Sequence, residues 1–103
     1  MNDMRDMMRR AQEMQTRLAR LQEEIGDKTV DASAGGGMVS VTVNGKMEVL
    51  SVRIEKEVAS AEEVELLQDL VRGAVNEALR RARELIAGEM AKITGGLNIP
   101  GLF

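Results

Sequence analysis

An α+β arrangement, in the order long helix, small antiparallel sheet, long helix, is expected for this chain of 103 residues. Three features carry that expectation. A heptad repeat runs through residues 1–26, an alternating valine run leads into Asn44-Gly45, and a second apolar-periodic stretch covers residues 60–94. The chain therefore reads as one domain, with a helical arm over 1–26, a sheet over 28–58, a long helix over 60–94 and an apolar tail over 95–103.

In the first segment Met4, Met7, Ala11, Met14, Leu18, Leu21 and Ile25 recur at alternating spacings of three and four, the a and d positions of three heptads. Such a seam packs against another helix, in the same subunit or a second one. Gly26-Asp27 is a C-terminal stop, with Gly26 expected in the left-handed conformation.

The period then changes to two. Val39, Val41 and Val43 run into Asn44-Gly45, and a two-residue type I′ turn there would pair Val43 with Lys46, Val41 with Glu48 and Val39 with Leu50. One face then carries Val39, Val41, Val43, Leu50, Val52 and Ile54 and is assigned to the core; the other carries Met38, Ser40, Thr42, Met47, Val49, Ser51 and Arg53. Residues 28–34 form an earlier strand with weaker alternation. Gly35, Gly36 and Gly37 separate the two strands. A phosphate-binding loop is the functional reading of such a run, but its lysine and hydroxyl residue are missing and a strand follows, so a backbone role is expected.

Ser60 and Glu63 have the spacing of a capping box at the start of the second helix. Glu62, Glu63, Glu65 and Asp69 crowd its beginning and Arg80, Arg81, Arg83 and Lys92 its second half, complementing the helix dipole. Thr94-Gly95-Gly96 is expected to end it, and Gly73 and Gly88 are potential bend points. At about 1.5 Å per residue the helix exceeds what a domain of this size can cover, so part of it should project.

Composition excludes much chemistry. The chain has no His, Cys, Trp or Tyr and a single Phe. A Ser-His or Cys-His nucleophile, a Cys/His metal site, a haem ligand, a disulfide framework and an aromatic stacking platform all need residues that are missing. The adjacent carboxylates Glu23/Glu24 and Glu62/Glu63 point in different directions on a helix and make no acid–base couple. No catalytic residue, cofactor, metal or small-molecule substrate is expected, and the chain reads as a non-enzyme. Without an apolar run of about 20 residues or a signal-like segment it also reads as a cytoplasmic protein with no membrane partner. So few bulky side chains leave one subunit short of a core, and a symmetric dimer through sheet edges or faces is the simplest remedy.

Net charge is −3, or −6 for two copies, so a polyanion could be held only by segregated charge. Ten of the fourteen basic residues are Arg, whose planar fork suits phosphate oxygens, and only Arg53 among them lies outside the two helices. On the first helix Arg5, Arg9, Arg10, Arg17 and Arg20 avoid the seam. The four-residue spacings Asp6–Arg10, Arg9–Glu13, Glu13–Arg17 and Arg20–Glu24 predict neutralising pairs for all but Arg5. On the second, Arg72, Asn76, Arg80 and Arg83 form one stripe, in which Arg83 has no carboxylate three or four residues away. From charge alone this is a solvated face or a phosphate-contacting one.

Four runs together are similar to the bacterial YbaB/EbfC family of nucleoid-associated proteins. They are Met8-Arg-Arg-Ala-Gln-Glu-Met-Gln15, Ala34-Gly-Gly-Gly-Met-Val-Ser-Val-Thr-Val-Asn-Gly-Lys46, Ala74-Val-Asn-Glu-Ala-Leu79 and Thr94-Gly-Gly-Leu-Asn-Ile-Pro-Gly101. The resemblance covers essentially the whole chain in order and spacing. It implies a tweezer-like homodimer with its sheets at the centre and helical arms extending from them. It also implies binding of double-stranded DNA in the nucleoid, with effects on DNA conformation and nucleoid organisation. The family supplies no catalytic residue or cofactor, and its DNA contact is ascribed to the arms without a short motif. Assigning that contact to Arg5, Arg9, Arg10, Arg17, Arg20, Arg72, Arg80 and Arg83 follows from their places on the helices. Contact through arginines without stacking aromatics implies phosphate binding with little base-specific readout. The alternative is a protein–protein scaffold that uses the long helices and the apolar tail, with DNA binding incidental.

Overall fold

The computed structural model describes residues 3–97, and of residues 94–97 the backbone alone. The expectations for the end of the tail, with Phe103, lie outside the described residues. The order is helix α1 (Asp3–Asp27), strands β1 (Thr29–Ala34), β2 (Val39–Asn44) and β3 (Val49–Ile54), and helix α2 (Val64–Leu97). The strands form one antiparallel sheet in the order β1-β2-β3.

The core is small-residue packing. Ala74, Ala78 and Ala82 lie at intervals of four on α2, so the helix presents a shallow ridge and approaches the sheet closely. They pack on Ala32 of β1 and on Val39, Val41 and Val43 of β2, all fully or almost fully buried. The helix lies over β1 and β2. β3 lies beyond its reach, and Leu50, Val52 and Ile54, expected to face inward, stay 53%, 47% and 40% exposed. The assignment of these three to the core therefore fails within one subunit, for a lateral reason: one narrow helix covers two strands.

The β2–β3 turn also differs from expectation. Asn44 and Gly45 both keep ordinary φ, and the left-handed residue is Met47 at φ 63°. The Met47 amide donates to the Asn44 carbonyl at 3.1 Å and the Asn44 amide to the Glu48 carbonyl at 3.0 Å, which closes a three-residue loop over 45–47. The register becomes Val43↔Val49, Val41↔Val52 and Val39↔Ile54, with an irregularity between Thr42 and Val43 that leaves Leu50 without a ladder partner. Val49 thereby moves to the face of Val43. Asn44 is buried and satisfied: its Oδ1 accepts from the Lys46 and Glu48 amides at 2.9 and 3.0 Å, and its Nδ2 donates to Glu48 Oε1 at 2.9 Å.

Gly45 is required by a neighbour. A Cβ there would collide with the Ile25 carbonyl oxygen and lie 3.1 Å from the Gly26 Cα, and its amide donates to the Lys28 carbonyl at 2.9 Å. Gly26 is not left-handed either, and α1 continues through it to Asp27. The two glycines form the seat on which the base of α1 crosses the hairpin. The Gly35–Gly37 run does have the backbone role expected, with φ of 64°, 68° and 99° in the turn from β1 to β2.

The capping box does not form. Ser60 makes no side-chain cap; a 3₁₀ turn at Ala61–Glu63 leads into α2, with the Glu63 amide on the Ser60 carbonyl at 3.1 Å. α2 runs uninterrupted past Gly73, Gly88 and Gly95-Gly96 to Leu97, three residues beyond the stop expected at Thr94. On α1 only Ile25 and Gly26 are buried, so the helix before them, about 33 Å long, projects from the sheet. The chain measures 76 × 23 × 15 Å.

Candidate nucleic-acid interface

The five arginines of α1 are all exposed. At 100° per residue Arg5, Arg9 and Arg20 share one side of the helix, Arg10 and Arg17 flank it, and the apolar seam faces away. Arg9, Arg17 and Arg20 line a shallow groove of about 450 Å³ with Gln12, Glu13 and Thr16. Arg5 to Arg20 spans about 22 Å of helix, some six base-pair steps at 3.4 Å each.

The neutralising pairs form differently from their spacing. Arg9 takes both nearby acids, Asp6 at 3.5 Å and Glu13 at 4.0 Å. Asp6–Arg10, Glu13–Arg17 and Arg20–Glu24 are not made, so Arg10, Arg17 and Arg20 join Arg5 without an ion pair among the described residues. Exposed pairs are worth too little to hold long side chains in one geometry, so spacing permits them without enforcing them.

On α2 the stripe is divided. Arg72 pairs with Asp69 at 3.1 Å. Arg80 is clamped between Glu77 and Glu84, with its Nε 3.0 Å from Glu77 Oε2. The hydrogen bond from Arg80 holds the Glu77 carboxyl below its ordinary pKa, against a smaller opposing effect of desolvation, and the same bond raises the Arg80 guanidinium. Among the described residues Arg83 has no ion pair, as its spacing predicts. Sequence reasoning did not single out Arg81 as a site residue, and in the fold it ties α2 to the sheet. Its Nη1 donates to the Asp31 carbonyl of β1 at 2.7 Å, and its Nε contacts Glu77 at 3.2 Å. No sequence spacing signals a bond across 50 residues.

Where α1 meets the sheet, Lys28 Nζ lies 2.7 Å from Glu89 Oε1 on α2, and Lys92 approaches the same oxygen at 3.5 Å. The Lys28 hydrogen bond holds Glu89 below its ordinary pKa. Among the described residues no acidic cluster could hold a metal ion, and no helix is long and apolar enough to cross a membrane.

A three-stranded sheet backed by one helix, with a second helix projecting and bearing arginines opposite an apolar seam, defines a class of small α+β proteins with an exposed, arginine-bearing arm. The chain belongs to the YbaB/EbfC DNA-binding family, whose model matches residues 1–97. It is 56% identical over 98 residues to a nucleoid-associated protein of Thermoanaerobacter pseudethanolicus, covering 95% of this chain and 88% of the relative. A nucleoid-associated protein of Syntrophobacter fumaroxidans is 56% identical over 95 residues, covering 92% and 86%. The crystal structure of an uncharacterized protein from Helicobacter pylori superposes with a TM-score of 0.59 at 28% identity, covering 72% of this chain and 86% of that one.

Proposed function

We propose that this chain is a nucleoid-associated protein of the bacterial cytoplasm that binds double-stranded DNA as a homodimer, by phosphate contacts from its helical arms, and so alters DNA conformation. The observation that carries the reading is the run of unpaired arginines on α1. Arg5, Arg10, Arg17 and Arg20 can reach phosphate oxygens without first breaking an ion pair. Arg83 offers the same on α2, whereas Arg72 and Arg80 must leave carboxylates. The homodimer rests on the bare inner face of β3, where a second copy would complete what α2 leaves uncovered.

The test is fluorescence anisotropy on a short labelled duplex at low salt, comparing Arg5→Ala/Arg17→Ala/Arg20→Ala with Arg72→Ala/Arg80→Ala. The α1 variant is expected to bind at least tenfold more weakly than wild type, about 1.4 kcal/mol, and the α2 variant to change less. Equal affinity of the α1 variant and wild type would refute phosphate contact by this arm.

A further inference from the structure

Methionine is the chain's only sulfur-bearing residue, and the aromatic and imidazole side chains that compete for oxidants are absent apart from one Phe. Two-electron oxidation by peroxide therefore has one class of side chain to attack. Four of the eight methionines lie on α1. Met4, Met7 and Met8 are 77%, 69% and 61% exposed, more than any other large apolar side chain among the described residues. Met38 and Met90 are markedly more covered, and Met47 is half-buried under the hairpin turn. Met4, Met7 and Met14 are also seam positions, on the side of the helix turned away from Arg5, Arg9 and Arg20.

We propose that the N-terminal half of α1 is an oxidant-sensing patch, in which peroxide converts Met4, Met7 and Met8 to sulfoxides and, through Met4 and Met7, disables the arm's apolar seam. With hydrogen peroxide, a lone pair on Sδ attacks one peroxide oxygen and the O–O bond breaks. That oxygen stays on sulfur, and the departing hydroxide takes the remaining proton to leave as water. Sulfur loses two electrons and peroxide gains them. The product is a polar, chiral side chain where the seam needs a flexible apolar one, and thiol-dependent reductases can reverse the change. The arginine face is chemically untouched, so oxidation acts on how the arm packs and leaves its charge unchanged. The consequence for DNA rests on the arm-binding reading above; the modification itself does not.

The experiment treats the full chain with graded hydrogen peroxide and maps sulfoxides by peptide mass spectrometry. Circular dichroism melting and DNA anisotropy are measured on the same samples. Sulfoxide is expected at Met4, Met7 and Met8 several-fold faster than at Met38, Met47 and Met90. Helical signal and DNA affinity should fall as those three react. A variant with Met4, Met7, Met8 and Met14 all replaced by Leu keeps the seam apolar. It should bind DNA like wild type when untreated and keep both readouts under peroxide. Even distribution of sulfoxide, first reaction at Met47, or equal loss of helical signal in the Leu variant would overturn the proposal. Absence of DNA binding by the untreated protein would refute the function above, while the sulfoxide map and the melting curves would still decide this one.

Discussion

Val52→Asp places a charge in the middle of the apolar face that β3 leaves bare. Leu50, Val52 and Ile54 are each close to half exposed. Full burial of such side chains contributes about 1.5–3 kcal/mol each, so covering the remaining half is worth roughly 0.7–1.5 kcal/mol per residue. Over three residues from each of two copies the sum is about 4–9 kcal/mol, the scale needed to offset the loss of translational and rotational freedom on association. The substitution removes the contribution of Val52 from both copies and places two carboxylates in a desolvated contact, each costing several kcal/mol. A loss of at least about 4 kcal/mol, roughly a thousandfold in the dimer constant, is expected. Sedimentation equilibrium reads it directly, and far-UV circular dichroism should show intact helices, because residue 52 is half exposed in the single subunit. A variant whose dimer constant stays within threefold of wild type would refute association through this face.

Other perturbations separate the local claims. Gly45→Ala should drive a Cβ into the Ile25 carbonyl and destabilise by about 1–3 kcal/mol, seen as a lower thermal midpoint. Gly88→Ala should do the opposite: the site is open space on a helix, and the exchange should add about 0.5–1 kcal/mol. The Lys28–Glu89 pair has a defined pH sense. Glu89 is depressed in the folded chain, so its contribution is complete above the ordinary glutamate value of about 4.3 and is lost as pH falls through the lower folded value. Carbon-detected NMR titration should therefore find Glu89 still ionised at the ordinary glutamate value. A Glu89 midpoint at or above the ordinary glutamate value would refute the pairing.

The elements were legible because each rests on local chemistry. The heptads of α1, the Val39-Val41-Val43 alternation and the glycine-only turn at Gly35–Gly37 need no tertiary information. What was not legible depends on contacts between distant residues. Asn44-Gly45 has the composition of a two-residue turn, but its glycine answers to the Ile25 carbonyl across the chain, and the loop lengthens to place its left-handed residue at Met47. The bare face of β3 follows from where the Ala74-Ala78-Ala82 ridge settles, a lateral position that periodicity does not encode. The candidate site was partly readable in the same sense. Among the described residues Arg5 and Arg83 stand unpaired, as their spacing predicts, whereas Arg10, Arg17 and Arg20 are without the ion pairs that their spacing allows, Arg9 having taken both Asp6 and Glu13.

The salt dependence of DNA affinity bears most directly on phosphate contact by the α1 arm. Each phosphate neutralised on duplex DNA contributes about −0.9 to the slope of log K against log salt. Wild type should show a steep slope, and Arg5→Ala/Arg17→Ala/Arg20→Ala should flatten it by up to about 2.7 for each engaged arm. A wild-type slope near zero, or one unchanged by the triple substitution, would contradict DNA binding through these arginines.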